Sequence, residues 1–176
     1  MSLGRSIFTV GSFTLLSRIV GFVRDIVLSA VLGSGPIADA FIVAFRLPNF
    51  FRRLFAEGSF SAAFVPVFTE VKEKRSHEEL KTLMSRVSGT LGGVLMLITA
   101  LGVILAPQVT VLFSPGATET PEKFALTVDL LRLTFPFLLF VSLTALSGGA
   151  LNSFHRFGLP ALTPVILNLC MIGGAL

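Results

Sequence analysis

Apolar residues run through this chain in long blocks, separated by short polar or charged stretches, with no sustained alternation of the kind a half-buried strand shows. After Arg86 no charged residue occurs until Glu119. Val87–Thr118 is therefore long enough to cross a hydrocarbon core about 30 Å thick, which takes about 20 helical residues. Two more uncharged runs, Leu133–Leu151 and Phe157–Leu176, approach that length and read as further spans, the first span starting before its uncharged run, near Phe124. Ile7–Leu32 and Pro36–Val71 are also apolar and Phe-rich, yet they carry Arg18, Arg24, Asp25, Asp39, Arg46, Arg52, Arg53 and Glu57. Both read as transmembrane. A secretory signal peptide is the alternative for the first, but Arg18 and Arg24 interrupt its apolar stretch and no clean small-residue cleavage site follows. The pattern predicts an all-α polytopic membrane protein: a single transmembrane domain over residues 1–176, with about five helices near 7–32, 36–71, 83–112, 124–151 and 158–176.

The connections between these blocks carry the turn formers. Gly33-Ser34-Gly35-Pro36 predicts a tight turn, Lys72–Lys81 a charged loop, Ser114–Glu122 a Pro/Gly loop and Asn152–Pro160 a short link. Basic residues in short loops stay on the cytoplasmic side of a membrane. Arg5 precedes the first helix, Lys72, Lys74, Arg75, Lys81 and Arg86 surround the second connection, and Arg156 sits in the fourth, against Lys123 alone on the other side. The N-terminus is expected to be cytoplasmic.

Composition agrees with a lipid solvent, because 53% of residues are apolar, 14% are charged and the mean hydropathy is +0.86. The formal net charge of +4 is a topology signal, and with no soluble basic domain a nucleic-acid partner is not expected. Cys170 is the single cysteine, and His77 and His155 lie apart without metal-ligand spacing, so neither a metal nor another cofactor is expected. The chain ends at Leu176 inside an apolar run, with no basic anchor closing it, and is expected to be a fragment or truncated product.

Charge inside apolar helices is where function is expected. In the first helix, SRIVGFVRD at Ser17–Asp25 places Ser17, Gly21 and Arg24 on one helical face and Arg18 with Asp25 on the next. An ionisable group at the bilayer centre costs at least about 2.5 kcal/mol, so these side chains should face a bundle interior or a watery cavity. In the second helix Asp39, Arg46, Arg53 and Glu57 fall near one stripe, with Asn49 nearby and Arg52 turned away. Pro48 and Gly58 weaken this helix, which as one unbroken rod over 36–71 would run roughly 54 Å. It is expected to bend or to project into water. Five arginines from Arg18 to Arg53 face three carboxylates, Asp25, Asp39 and Glu57, and the cationic surplus implies an anionic ligand. Arginine's planar fork suits phosphate oxygens. Internal pairing is the competing reading: Arg24 with an acidic neighbour, Arg53 with Glu57, Arg18 with Asp25. Phe60, Phe64 and Phe68 form a stripe that reads first as helix packing or lipid contact and second as an isoprenoid-tail surface.

Three segments, SRIVGFVRD at Ser17–Asp25, ADAFIVAFRLPNFFRRLFAEGSFSAAFVPVF at Ala38–Phe68 and ALNSFHRFGLPALTPVILN at Ala150–Asn168, resemble the MurJ/MviN lipid II flippase family in order and spacing. The resemblance implies the multidrug/oligosaccharidyl-lipid/polysaccharide exporter fold of fourteen helices, of which this chain would supply a partial N-terminal lobe, in the bacterial inner membrane. It implies lipid II, an undecaprenyl-pyrophosphate-linked precursor, as the cargo moved by alternating access, with membrane lipids and the cell-wall synthesis machinery as neighbours. It further implies that Arg18, Arg24 and Arg52, with the Ser17 hydroxyl, meet the substrate, and that Asp39 and Glu57 act in the conformational cycle; helical spacing adds Asp25, within reach of Arg18 or Arg24, and Arg53, one turn from Glu57, as ion-pairing residues. No catalytic residue is expected. Two other classes compete: a membrane-embedded polyprenyl-pyrophosphate enzyme, and a lipid-binding or scaffold fragment that does not transport. The first would need a compact acidic or metal motif, whereas Asp25, Asp39 and Glu57 are spread over two helices.

Overall fold

The computed structural model describes residues 3–33, 35–52 and 59–176, with the side chains of 3–7, 47–48, 51–52 and 59–61 left aside. Among the described residues all regular structure is helical: α1 (Leu3–Leu32), α2 (Pro36–Arg52), α3 (Ser59–Lys74), α4 (His77–Ile104), α5 (Ala106–Phe113), a 3-10 turn at Pro115–Glu119, α6 (Pro121–Ser153) and α7 (Gly158–Ala175). The chain divides into two compact units, residues 1–35 with 148–176, and residues 36–147.

In the first unit α1 packs lengthwise on α7. The two helices run parallel, since Thr9 near the start of α1 lies beside Gly158 at the start of α7, and Gly21 further along lies beside Asn168. Gly33 closes α1 in the left-handed region (φ 64°), and its N–H donates to the Ser29 carbonyl at 3.0 Å. That conformation is open to glycine at little cost and answers one of the carbonyls a helix end leaves over. The end of α6 is closed differently. His155 takes φ 57° and donates its N–H to the Asn152 carbonyl at 2.9 Å, while the Arg156 N–H reaches the Leu151 carbonyl at 3.0 Å. This is the paired Schellman closure, with histidine where glycine is usual.

The second unit holds α2 to α5 and most of α6. Pro36 opens α2, where a missing N–H does no harm, and Asp39 in its first turn complements the positive end of the helix dipole. The sequence predicts one long helix over 36–71; α2 continues through Pro48 to Arg52 and α3 starts at Ser59, with 53–58, including Gly58, outside the described residues. Lys72–Lys81, expected to be a loop, is almost wholly helical. Only Arg75 and Ser76 separate α3 from α4, because the Ser76 hydroxyl accepts the Glu79 N–H at 3.2 Å and caps α4, while the Arg75 guanidinium donates to Glu79 at 2.9 Å. Charge marks where a helix leaves lipid, and it does not end the helix. The third predicted helix, 83–112, is in turn divided at Leu105 into α4 and α5. Pro107 has no N–H to give the Val103 carbonyl, so the regular ladder cannot continue through it.

A close-packed core joins α2, α5 and α6 through Ala44, Ala106, Val128, Leu131 and Phe135. α4 reaches the same core at Gly102, where a Cβ would fall 2.1 Å from Cε1 of the buried Phe135 ring. Only a glycine lets the α4 backbone lie against that ring. The Thr134 hydroxyl donates to the Ala44 carbonyl at 2.9 Å, tying α6 to α2. Phe64 and Phe68 are buried with ring centroids 5.2 Å apart, which places these two members of the phenylalanine stripe in packing.

Candidate functional site: a cationic helix seam and two cavities

α4, α6 and α7 are each long and apolar enough to cross a membrane, and only 17%, 28% and 11% of their most apolar windows are buried by the protein itself. Phe113, Leu133, Phe140 and Leu169 are among the large side chains left on the outside. Apolar surface on this scale belongs in contact with lipid or other apolar helices.

Against that background the polar groups of the first unit stand out. Arg24 lies in the α1–α7 seam with its side chain 26% exposed. Its Nη1 donates to Asn168 Oδ1 at 2.7 Å, and its Nη2 and Nε donate to Asp25 Oδ1 at 2.6 and 3.1 Å. Asn168, buried on α7, donates its Nδ2 back to the Ser17 carbonyl at 3.2 Å. Gly21 makes room for it, since a Cβ there would stand 3.3 Å from Nδ2. Ser17, Gly21 and Arg24 thus share the face predicted for them, and that face meets Asn168. Asp25 pairs with Arg24, and not with Arg18 as one sequence reading allowed.

Arg18 and Ser17 instead line a cavity of about 500 Å³ within the same unit, together with Thr14, Asn152, Phe157 and Pro164. Arg18 makes no hydrogen bond or ion pair among the described residues, so a full positive charge faces the cavity without a countercharge. A second cavity of about 270 Å³, within the second unit, is lined by Asp39, Arg46, Ser114, Lys123 and Thr127. There Asp39 accepts from the Lys123 ammonium at 3.1 Å, so its partner comes from the first turn of α6 and not from its own helical stripe. Arg46 has no ion-pair partner among the described residues. Of the remaining expected site residues, Arg52 is the last residue of α2, its side chain not described, and Arg53 and Glu57 lie outside the described residues.

Sequence reasoning assigned Asn168 and Asn152 no role. For Asn168 the signal was present, as an amide inside the apolar run Phe157–Leu176, but an amide carries no charge and its partner 144 positions away is invisible to helical spacing. Among the described residues no three His, Cys, Asp or Glu side chains cluster as metal ligands.

Long apolar helices with one arginine in a helix seam and another on a cavity wall define a polytopic helical membrane protein. A sequence profile described as lipid II flippase MurJ matches residues 28–176, and the chain belongs to that family. It is 48% identical to a probable lipid II flippase MurJ of Rhizobium tropici over 98% of its length, and 41% identical to the lipid II flippase MurJ of Burkholderia cenocepacia over 99%. A solved structure of lipid II flippase MurJ in an inward closed conformation superposes with a TM-score of 0.79 at 33% identity, over 94% of this chain. The chain spans about a third of the length of the relatives it matches: 32% and 34% of the two proteins and 35% of the solved chain.

Proposed function

We propose that this chain forms part of a flippase that carries lipid II from the cytoplasmic to the outer face of the bacterial inner membrane by alternating access, without catalysing a covalent step. Family membership supports the cargo, and the observation that carries the site is Arg18, a permanently charged guanidinium on a cavity wall with no countercharge among the described residues. A pyrophosphate group supplies that countercharge, and guanidinium forks bind its oxygens in pairs. Ser17 lies on the same wall, Arg24 is held about two helical turns beyond Ser17 on α1, and Arg52 is assigned to the cargo by the family resemblance. The parallel course of α1 and α7 fits an arrangement in which both enter the membrane from the cytoplasm. Reconstitution of the intact protein in vesicles tests the reading: lipid II should redistribute between leaflets in a protein-dependent way, while phosphatidylglycerol should not. Equal movement of both lipids contradicts it.

The carboxylates serve a different purpose, because a negative group in a cationic cavity repels the cargo. Asp25 and Asp39 pair with Arg24 and Lys123. Glu57 is assigned an equivalent pairing with Arg53 when the cavity is empty, broken when substrate oxygens compete for the arginine. Glu57→Gln should leave lipid II binding unchanged or tighter and slow transport. Binding and transport falling together, in proportion to lost protein, contradicts this switch.

A further inference from the structure

A guanidinium has five N–H donors in a fixed plane. Asp25 takes two from Arg24 and Asn168 takes one, so two N–H groups remain without a partner among the described residues, one on each terminal nitrogen. The three bonds already made fix both the plane and the direction of those two donors. Asn168 is the member of this set that comes from another helix, and it is itself fixed, buried on α7 and anchored through Nδ2 to the Ser17 carbonyl. Its side chain therefore bridges two points on α1, one of them backbone and the other the charged end of Arg24.

The chemistry of the acceptor matters as much as its position. An amide oxygen accepts a charge-assisted hydrogen bond and adds no negative charge, whereas a carboxylate at the same place would add a second anion beside Asp25 and leave the Arg24 group net negative. The geometry points to Asn168 as a positioning residue for the flippase site: a neutral α7 acceptor that aims the two remaining Arg24 donors at the diphosphate of the cargo while adding no negative charge to that of Asp25. The ligand rests on the lipid II reading given above; the positioning of Arg24 does not.

Two measurements on the intact protein in detergent separate these claims. The first uses no ligand. In selectively 15N-arginine-labelled protein, with Arg24→Lys identifying the resonance, hindered rotation of the Arg24 guanidinium should give separate Nη signals whose exchange speeds up in Asn168→Leu, where only the Asp25 bonds remain, and stays slow in Asn168→Asp. Identical spectra for wild type and Asn168→Leu overturn the positioning role. The second measures Kd for lipid II in a double-mutant cycle. Loss of one charge-assisted contact corresponds to about ten-fold or more in affinity, so Asn168→Leu should weaken binding by about that factor in the wild-type background and by less than about two-fold when Arg24 is already Ala. Asn168→Asp, which keeps the shape and the bond to Arg24, should weaken binding at least as much as Asn168→Leu. Equal losses in both backgrounds, or tight binding by Asn168→Asp, overturn the proposal in favour of simple seam packing. Failure of the wild-type protein to prefer lipid II over phosphatidylglycerol would sink the cargo assignment, and the NMR result would still decide whether Asn168 holds Arg24.

Discussion

His155 sits in a conformation that costs an L-residue about 1–2 kcal/mol, and it does so at the turn that delivers α7 to α1. Histidine is among the residues that tolerate the left-handed region, and the two backbone hydrogen bonds of the closure hold it there. His155→Gly should therefore leave thermal stability unchanged or raise it by up to about 1 kcal/mol, and His155→Val, with a branched Cβ, should lower it by more than that. Thermal unfolding of the purified variants in one detergent checks the order; a stable Val variant would mean that the turn relaxes. At the same scale, the arginines show what a sequence can and cannot disclose. Helical spacing places Ser17, Gly21 and Arg24 on a common face, and the structure keeps them there. Spacing has no means of choosing between Arg18 and Arg24 as the partner of Asp25, since both are within side-chain reach, and the choice falls to Arg24 while its guanidinium also meets Asn168.

The helices follow the apolar pattern closely where lipid-facing runs are uninterrupted, as in α6 and α7, and depart from it where local chemistry overrides hydropathy. Ser76 and Glu79 form a capping pair legible in the sequence, yet the surrounding lysines and glutamates read as a solvent loop because charge density masks a helix start. Leu105 and Pro107 end α4 inside a run with no charge at all, where hydropathy predicts continuity. Contacts between helices are the least legible. The meeting of Gly102 with Phe135 joins positions in different runs, and no periodicity in either announces the other. Among the described glycines it is the closest approach. Gly102→Ala should destabilise by about 1–3 kcal/mol, as overpacking of a filled core does. Phe135→Leu in the same chain should recover part of that loss. An alanine variant as stable as the parent would show that α4 and α6 separate freely at this point.

At the scale of the whole molecule, each unit displays a consistent direction. In the second, the start of α2, the 3-10 turn and the start of α6 meet around Asp39, Ser114 and Lys123. In the first, α1 and α7 begin together. Both arrangements suit a cytoplasmic N-terminus. With Cys170 replaced by Ala, a cysteine at His77 should react with an impermeant thiol reagent only after the cytoplasm is opened, and one at Thr118 should react in intact cells. Labelling of both from one side contradicts the proposed orientation. The proposed passage of lipid II is tested most directly at Arg18, on a cavity wall where no other described group neutralises its charge. In cells that depend on this protein for lipid II export, the measurement is the fraction of lipid II open to cleavage by a hydrolase added from outside. Arg18→Ala at normal membrane abundance should reduce that fraction to the level of cells depleted of the protein, with Arg18→Lys intermediate because it keeps charge without the fork. Undiminished cleavage in the alanine variant would contradict the assignment.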